Sequence, residues 1–296
     1  MKNDTPSHER FIELMLFLFA CVSIISVIGI TFFIFEEGLP LFVHVNFFEF
    51  LLSSDWSPTA DNPSFGILAF IIGSIFVTTI SLIIAVPIGI ATGVFMSEYA
   101  NPKWSSIVRK GIELLAGIPS VIYGLFGFFF IAPIIRTLTS SDTGLGVLTA
   151  SIILGIMVLP TIINTTEVSL RAVPRELKEG SLALGATYWQ TIIRTLIPAA
   201  RSGIIAGIVL GIGRSIGETM AVLMVAGNSP IMPKGLLSNT RTLTMNIVTD
   251  LKYAEVGSLH ETSLFTTGIV LFIFILFINL LVHYFMKKSL ERTQGK

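Results

Sequence analysis

Six long runs of apolar residues, each nearly free of charged side chains, dominate the pattern along this chain of 296 residues. Each run exceeds the ~20 residues that a helix needs to cross about 30 Å of hydrocarbon. A helix satisfies its own backbone hydrogen bonds, so the pattern predicts an all-α integral membrane protein with six transmembrane helices. The predicted spans are about 12–35, 66–96, 113–135, 145–167, 202–226 and 264–286.

The segments outside the runs predict one membrane domain, 11–296, preceded by a short tail at 1–10. No fixed-period repeat or low-complexity tract divides the chain, so a single domain is the economical interpretation. Two long loops carry apolar, helix-compatible stretches between turn-rich residues. The loops are 36–64, with its stretch at 39–52, and 228–263, with its stretch at 240–253.

The segment 173–201 differs from the other connections because it is both basic and apolar. It predicts two short helices, the first ended by Gly185 in the left-handed conformation that glycine adopts without a Cβ clash. Pro198 is predicted to stop the second helix. Aromatic and aliphatic side chains such as Trp189 indicate docking into a groove of another protein.

Composition and charge fit this topology. Just over half of the residues are apolar and 13% are charged, which is typical of a membrane protein. Most of the 19 lysines and arginines lie on the side of both termini, whereas 36–64 has none. The positive-inside rule therefore predicts cytoplasmic termini and outer positions for 36–64 and 228–263. The lone Cys21 and four scattered histidines predict neither a disulfide framework nor a metal site, and no nucleic-acid partner is expected.

Arg214 and Glu218 lie in the middle of the fifth run, spaced one helical turn apart. An ionised side chain at the centre of a membrane helix costs about 2.5–3.5 kcal/mol, so such residues usually mark a substrate or ion pathway. A guanidinium group makes two parallel hydrogen bonds to an oxyanion, and Glu218 would temper the affinity of the site. The alternative interpretation is an i,i+4 salt bridge that locks helix packing.

Further candidates for the pathway lie on the second and third spans. Pro119 is predicted to free a turn of backbone, with Ser120 and Tyr123 facing the pathway; a proline kink with glycine packing is the alternative. Thr78 and Thr79 are the candidates on the second span, and the alternative for them is a hydroxyl bonded to its own backbone.

Several catalytic patterns are absent from the sequence. No Gly-x-x-x-x-Gly-Lys-Ser/Thr loop for ATP, no His-Glu-x-x-His zinc motif and no Gly-x-Ser-x-Gly nucleophile elbow occurs. The chain is therefore expected not to be an enzyme, and any energy for transport must enter from another subunit.

The segment Glu179-Gly-Ser-Leu-Ala-Leu-Gly185, with Pro198 thirteen residues further on, resembles the EAA loop of ATP-binding-cassette (ABC) importer permeases. Glu179, Gly185 and Pro198 match that motif in register, and the substituted positions keep small or aliphatic character. The resemblance implies the type I (MetI-like) permease fold, in which this loop forms the coupling helix. It also implies that Glu179, Gly185, Trp189 and Pro198 contact an ATPase subunit.

Four segments are similar to the permeases of phosphate-specific importers, which are bacterial inner-membrane proteins. They are Ala85–Ile90, Ser97–Ala100, Ala116–Phe126 and Gly211–Ala221. Of the two homologous permeases of such an importer, the PstC type carries a glutamate one turn after the arginine, as Glu218 does here.

The resemblance implies that the chain moves phosphate across a lipid membrane and binds no cofactor itself. It implies a PstA-like second permease, two PstB-like subunits that hold ATP and Mg²⁺, and an extracytoplasmic PstS-like phosphate-binding protein. Alternatives are a permease for another oxyanion (phosphonate, sulfate or molybdate), a secondary anion transporter and a membrane enzyme. A secondary transporter needs no coupling loop, and an enzyme needs a catalytic cluster.

Overall fold

The computed structural model describes the backbone of residues 7–293 and the side chains in that range except 7–9, 102, 282, 283 and 285–293. The described chain is helical apart from one short hairpin and its connections. The helices are α1 Ser7–Gly38, α2 Phe47–Leu52, α3 Leu68–Val94, α4 Pro102–Gly117, α5 Ser120–Phe126, α6 Ala132–Thr139, α7 Val147–Arg171, α8 Arg175–Ala183, α9 Tyr188–Thr191, α10 Ile197–Gly217, α11 Met220–Val225, α12 Leu243–Leu251 and α13 Leu259–Thr293.

Six helical stretches are long and apolar enough to cross a membrane, which confirms the predicted all-α class with six spans. Wide π-helical turns continue three of them, at Phe95–Tyr99, Gly127–Ile131 and Ile192–Leu196. The predicted tail at 1–10 lies partly outside the described residues, and its last four residues already belong to α1. The six stretches are Arg10–Val43, Leu68–Tyr99, Ser120–Thr139, Val147–Arg171, Tyr188–Gly217 and Leu259–Leu281.

The helix α7 forms the centre of the molecule, between α3 on one side and α10 on the other. Small residues let the helices approach closely, as in other membrane bundles. A Cβ added at Gly89 of α3 would overlap Ile162, and one added at Gly207 of α10 would overlap the hydroxyl of Thr165. Apolar packing on both faces therefore makes α7 a fixed support for its neighbours.

The helices α1 and α13 pair at the periphery of the molecule. Thr266 donates a hydrogen bond of 2.7 Å to the carbonyl of Gly38, and the rings of Phe33 and Phe265 meet edge to face. Most of the other described side chains of α1 are exposed, as suits a helix surrounded by lipid.

The third apolar run is interrupted, so its span is Ser120–Thr139 and not the predicted 113–135. α4 ends at Gly117 and Ile118 is extended, because the ring of Pro119 disfavours helical geometry in the residue before it. α4 is instead a separate helix that buries Ser105 and Ile112 against the bundle.

The fifth span is longer than predicted on the N-terminal side. The prediction that the second short helix stops before Pro198 was wrong, because helical structure continues from Tyr188 to Gly217. In the wide turn before Pro198 the N–H of Ile197 bonds to the carbonyl of Ile192, five residues back. Such a turn accommodates the proline ring and its missing N–H, and the helix passes through.

The two loops predicted as outer fold against each other and against the ends of α3 and α13. The stretch predicted at 240–253 forms α12, with Thr242 accepting from the N–H of Met245. The stretch predicted at 39–52 divides into a 3₁₀ turn and α2, because Asn46 is extended and caps the second helix. The strands Trp56–Ser57 (β1) and Ser64–Phe65 (β2) pair antiparallel beside them.

Candidate functional site

The fifth apolar run breaks at Glu218 and Thr219, between α10 and α11. The helix α10 ends at Gly217, and Glu218 is extended with φ −68° and ψ 130°. The expectation that Arg214 and Glu218 stand one turn apart on a continuous helix was therefore wrong. Only the spacing of the two residues suggested a continuous helix. At the break, polar groups form hydrogen bonds that do not belong to the regular helical pattern.

Three hydrogen bonds stabilise this break. A Glu218 carboxylate oxygen accepts from the N–H of Ala221 at 3.2 Å and so caps α11. The Thr219 hydroxyl donates to the carbonyl of Gly217 at 3.2 Å, and the Thr244 hydroxyl on α12 donates to the carbonyl of Glu218 at 3.0 Å. Side chains thus replace part of the helical hydrogen bonding that the break removes.

Arg214 lies in the last turn of α10, where the helix dipole favours a cation. Its side chain is exposed, and no ion pair joins it to Glu218 in the part of the chain that the structure describes. The interpretation of these two residues as an i,i+4 packing salt bridge is not supported, because the geometry for that pair is absent. Within the described residues, Arg214 therefore presents an exposed guanidinium group that no carboxylate pairs.

The interruption in the third span lies close to the break in the fifth. α5 packs on α11, where a Cβ added at Gly124 would meet Ala221 and Met224. Tyr123 is buried in this contact and lies within electrostatic range of Arg214. Two broken spans and one unpaired cation therefore occupy one region.

The predicted pathway residues differ in what their polar groups contact. Tyr123 donates its hydroxyl hydrogen at 2.7 Å to the carbonyl of Leu115, which also accepts a longer bond of 3.3 Å from the N–H of Ile118 at the end of α4. Ser120 is half-buried at the first position of α5. Tyr123 therefore stabilises the interruption beside Arg214, and a direct contact of either side chain with substrate stays a prediction.

Thr78 and Thr79 face different directions on α3. Thr78 is buried, whereas Thr79 is exposed on the same side as Ile83. Neither hydroxyl makes a hydrogen bond within the described residues, in contrast to Ser81, which donates to the carbonyl of Thr78 at 2.8 Å. The structure does not place the two threonines on one common surface.

The predicted coupling segment has the expected left-handed glycine. Gly185 has φ +84°, and its N–H bonds to the carbonyl of Leu182 at 3.0 Å at the end of α8. Glu179 is exposed on α8, and Leu184 and Trp189 are 90% and 59% exposed. No part of the described chain covers these apolar side chains, as a surface for another subunit requires.

The start of α9 has a capping motif that is visible in the sequence but that the sequence reasoning missed. Thr187 accepts from the N–H of Gln190 at 3.2 Å, while the Gln190 side chain accepts from the N–H of Thr187 at 2.9 Å. This reciprocal capping box is recognisable as Thr-x-x-Gln. Pro198, the last residue of the predicted motif, lies in the first turn of α10.

A buried polar cluster connects the coupling segment to the spans. Lys178 of α8 donates to the Glu98 carboxylate at 2.6 Å, and the Tyr188 hydroxyl lies 3.0 Å from the same oxygen. Burial by itself lowers the pKa of Lys178, but the hydrogen bonds to Glu98 and Tyr188 and the charge of Glu98 raise it above its usual value. The ammonium group is therefore charged at neutral pH. An open cavity of about 470 Å³ adjoins this cluster.

The side chain of Glu167, at the end of α7, is only 1% exposed. It accepts hydrogen bonds from Arg109 of α4 and from Arg171, and Arg171 also donates to the carbonyl of Met96 at 3.3 Å. Sequence reasoning missed this cluster because Arg109 lies 58 residues from Glu167 along the chain.

A second missed cluster lies where α12 meets the β hairpin. Arg241, 9% exposed, donates to Asp250 and to Asn246, at 3.0 Å in each case. Asp250 also accepts from the Trp56 indole at 2.6 Å. His260 lies 3.5 Å from Asp250, too far for a good hydrogen bond, and its Nε2 atom has no other partner. No group of three or more metal-ligating side chains occurs within residues 7–293.

The sequence is similar to that of known membrane proteins. The family model of binding-protein-dependent transport system inner membrane components matches residues 85–291. The probable ABC transporter permease YqgH of Bacillus subtilis (strain 168) is 40% identical over 268 residues, covering 90% of this chain and 86% of that protein. The phosphate transport system permease PstC of Mesorhizobium japonicum is 35% identical over 265 residues, covering 83% of this chain and 80% of that protein.

Two solved structures are similar in fold. A chain of a bacterial ABC transporter involved in alginate import superposes with a TM-score of 0.63 at 15% identity, covering 94% of this chain and 98% of that one. A chain of the inward-facing MetNI methionine ABC transporter superposes with a TM-score of 0.57 at 19% identity, covering 76% and 94%. Because so little sequence is shared, these similarities concern the fold alone.

Proposed function

Because this chain belongs to the family of binding-protein-dependent transport system inner membrane components, we propose that it is the permease subunit of an ATP-driven phosphate importer. Family membership confirms the predicted resemblance to ABC importer permeases, and the chain is a multi-pass inner-membrane protein. Proteins of this family are non-catalytic membrane components, and ATP is hydrolysed by separate subunits.

Phosphate is the proposed substrate for two independent reasons. Relatives in several organisms, at 31–35% identity over most of the chain, are named phosphate transport permeases. The observation that carries the proposal within this chain is the exposed Arg214 guanidinium, which has no ion pair within the described residues and lies beside two interrupted spans. Its planar fork matches two oxygens of a tetrahedral oxyanion.

Glu218 has a different role from the one its spacing indicated. Its carboxylate accepts from the N–H of Ala221, which caps α11 and stabilises the break between α10 and α11. Because the carboxylate is engaged there, it does not form a direct ion pair that would neutralise Arg214. We infer that Glu218 shapes the site and lowers its net positive potential from a distance. The site would then bind an anion strongly enough for the anion to enter the pathway and weakly enough for it to be released.

In the proposed cycle, one continuous helical stretch transmits the ATP-driven movement to this site. The stretch Tyr188–Gly217 contains 30 residues, which corresponds to about 45 Å at 1.5 Å per residue. One end carries the proposed ATPase surface around Gly185 and Trp189, and the other end carries Arg214. A push on the coupling segment therefore displaces the helix that bears the substrate group.

The family implies a second permease, ATP-binding subunits and a substrate-binding protein. We propose that these are PstA-like, PstB-like and PstS-like, that ATP and Mg²⁺ are held by the PstB-like subunits, and that both termini are cytoplasmic. The exposed side of Arg214 would face the second permease across the pathway. Ser120, Tyr123, Thr78 and Thr79 remain proposed pathway residues, and Glu179 and Pro198 remain proposed coupling residues.

The proposal is tested with the assembled importer in proteoliposomes. Radiolabelled phosphate uptake is measured with ATP inside and the binding protein outside, and unlabelled sulfate, molybdate and phosphonate are added as competitors. ATP-dependent uptake that only unlabelled phosphate suppresses supports the proposal. Uptake of another oxyanion in preference to phosphate refutes the substrate, and uptake without an ATPase subunit refutes the importer class.

A further inference from the structure

The carboxylate of Glu98 lies where the second span ends and the coupling segment begins. Glu98 belongs to the wide turn Phe95–Tyr99 that follows α3, and its side chain is only 7% exposed. Three donors surround the carboxylate: the Lys178 ammonium at 2.6 Å, the Ser97 hydroxyl at 2.9 Å and the Tyr188 hydroxyl at 3.0 Å. Both oxygens of this buried carboxylate thus have hydrogen-bond partners, as a buried charge requires.

The partners of Glu98 belong to separate elements of the coupling mechanism. Lys178 lies on α8, and Tyr188 is the first residue of the long helix that ends beside Arg214. Lys178 also donates to the Tyr188 hydroxyl at 2.9 Å, and the Tyr99 ring packs edge to face on the Tyr188 ring. The end of α3, the helix α8 and the start of α9 are therefore joined through hydrogen bonds to Glu98.

Apolar packing does not hold α8 in place. The helix buries none of its nine residues. Within the described residues, Ser181 of α8 also contacts Thr191 at 3.0 Å and Thr195 at 3.4 Å. These contacts join α8 to α9 and the turn after it, whereas Lys178 joins α8 to α3.

We propose that Glu98 is the positioning residue that fastens the coupling segment to the inner end of the second span. Through Lys178 and Tyr188 it makes α8, the start of α9 and the end of α3 move as one body during the cycle. The role presupposes the proposed ATP-driven import, because only then does a force act on α8. Without the contact, the ATPase subunits would move α8 and leave α3 behind.

The test uses the purified importer with all of its subunits and measures two rates in proteoliposomes, substrate uptake and ATP hydrolysis. The variants are Lys178→Met and Glu98→Gln, which remove one charge each and keep the length of the side chain. The matched control is Lys110→Met, an exposed lysine on α4. The rescue variant exchanges the charges, Glu98→Lys with Lys178→Glu, and restores an ion pair of opposite polarity.

We expect both single variants to assemble and to hydrolyse ATP at half of the wild-type rate or more. The ratio of substrate transported to ATP hydrolysed should fall about 10-fold, and the charge exchange should recover most of that loss. Lys110→Met should keep the wild-type ratio. An unchanged ratio in the single variants overturns the proposal, and so does a complex that falls apart in them and is not restored by the exchange.

A failure of the substrate assignment is recognisable separately. If the wild-type importer moves another oxyanion, phosphate is the wrong substrate, but the transport ratio is measured with that oxyanion and the role of Glu98 is still decided. If wild-type transport needs no ATP, both proposals fail.

Discussion

Replacing Arg214 by glutamine removes the charged fork and leaves a shorter, neutral polar side chain. Each hydrogen bond between a charged donor and an anion contributes ~1.5–3 kcal/mol, so a bidentate contact contributes ~3–6 kcal/mol. At 1.4 kcal/mol per factor of ten, its loss weakens phosphate binding in the pathway by ~10²–10⁴-fold. We expect uptake at limiting phosphate to fall at least ~100-fold.

The same substitution should hardly affect folding. Arg214 is exposed at the end of α10 and has no ion pair within the described residues, and substitutions at such sites usually change the free energy of unfolding by less than ~0.5 kcal/mol. The complex should therefore assemble and bind its ATPase subunits normally. Arg214→Lys keeps the charge without the fork, so we expect an intermediate loss of ~10-fold.

The assay is ATP-dependent phosphate uptake into proteoliposomes, with gel filtration of the same preparations to monitor assembly. Arg136→Gln, at an exposed arginine of α6, is the matched control and should transport normally. Normal uptake by Arg214→Gln would refute the assignment of Arg214 to the pathway. A complex that fails to assemble would show a structural role instead.

Three further substitutions test other parts of the molecule. Glu218→Gln retains an oxygen that accepts from the N–H of Ala221, so the protein should stay folded. Turnover should fall and phosphate should be bound more tightly. Reduced thermal stability with unchanged turnover would contradict this expectation. Gly185→Val forces a β-branched residue into φ +84° at a cost of ~1–2 kcal/mol or more. The ATPase should therefore dissociate, or hydrolyse ATP without transport. Robust transport by this variant would argue against coupling through this segment. Asp250→Asn leaves the buried Arg241 without its counter-charge and should destabilise the protein by ~3–5 kcal/mol in thermal unfolding; an unchanged melting temperature would show that the neighbouring asparagines suffice.

Local rules account for the parts of the fold that the sequence predicted. Six spans follow from the length of the apolar runs, because a backbone in lipid must satisfy its own hydrogen bonds. The left-handed Gly185 and the interruption at Pro119 follow from steric limits on single residues. Each of these features needs only a few neighbouring residues to be recognised.

The family resemblance was likewise readable from short segments. Glu179, Gly185 and Pro198 match a motif in register, and the match of the family model over 85–291 confirms what they indicated. The roles of individual pathway residues stay predictions, since similarity between whole chains does not assign a function to one side chain.

Spacing failed where tertiary contacts determine the backbone. Helical periodicity placed Arg214 and Glu218 on one face, but the capping contact to Ala221 and the Thr244 hydroxyl stabilise a break between them. Pro198 was expected to end a helix, but the wide turn before it lets the helix continue. In both cases the preference of a single residue is weaker than the sum of the contacts around it.

By itself the sequence determined the number and class of the spans, the left-handed cap of the coupling segment and the presence of charged residues within an apolar run. Only the tertiary structure decided which charges are paired: Glu98 with Lys178 80 residues away, and Glu167 with Arg109 58 residues away. The physical reason is that a run of apolar residues follows from local chemistry, whereas an ion pair depends on which distant elements pack together. Arg214 therefore stands out in the sequence as a charge in an apolar run, and within the described residues as a charge without an ion pair.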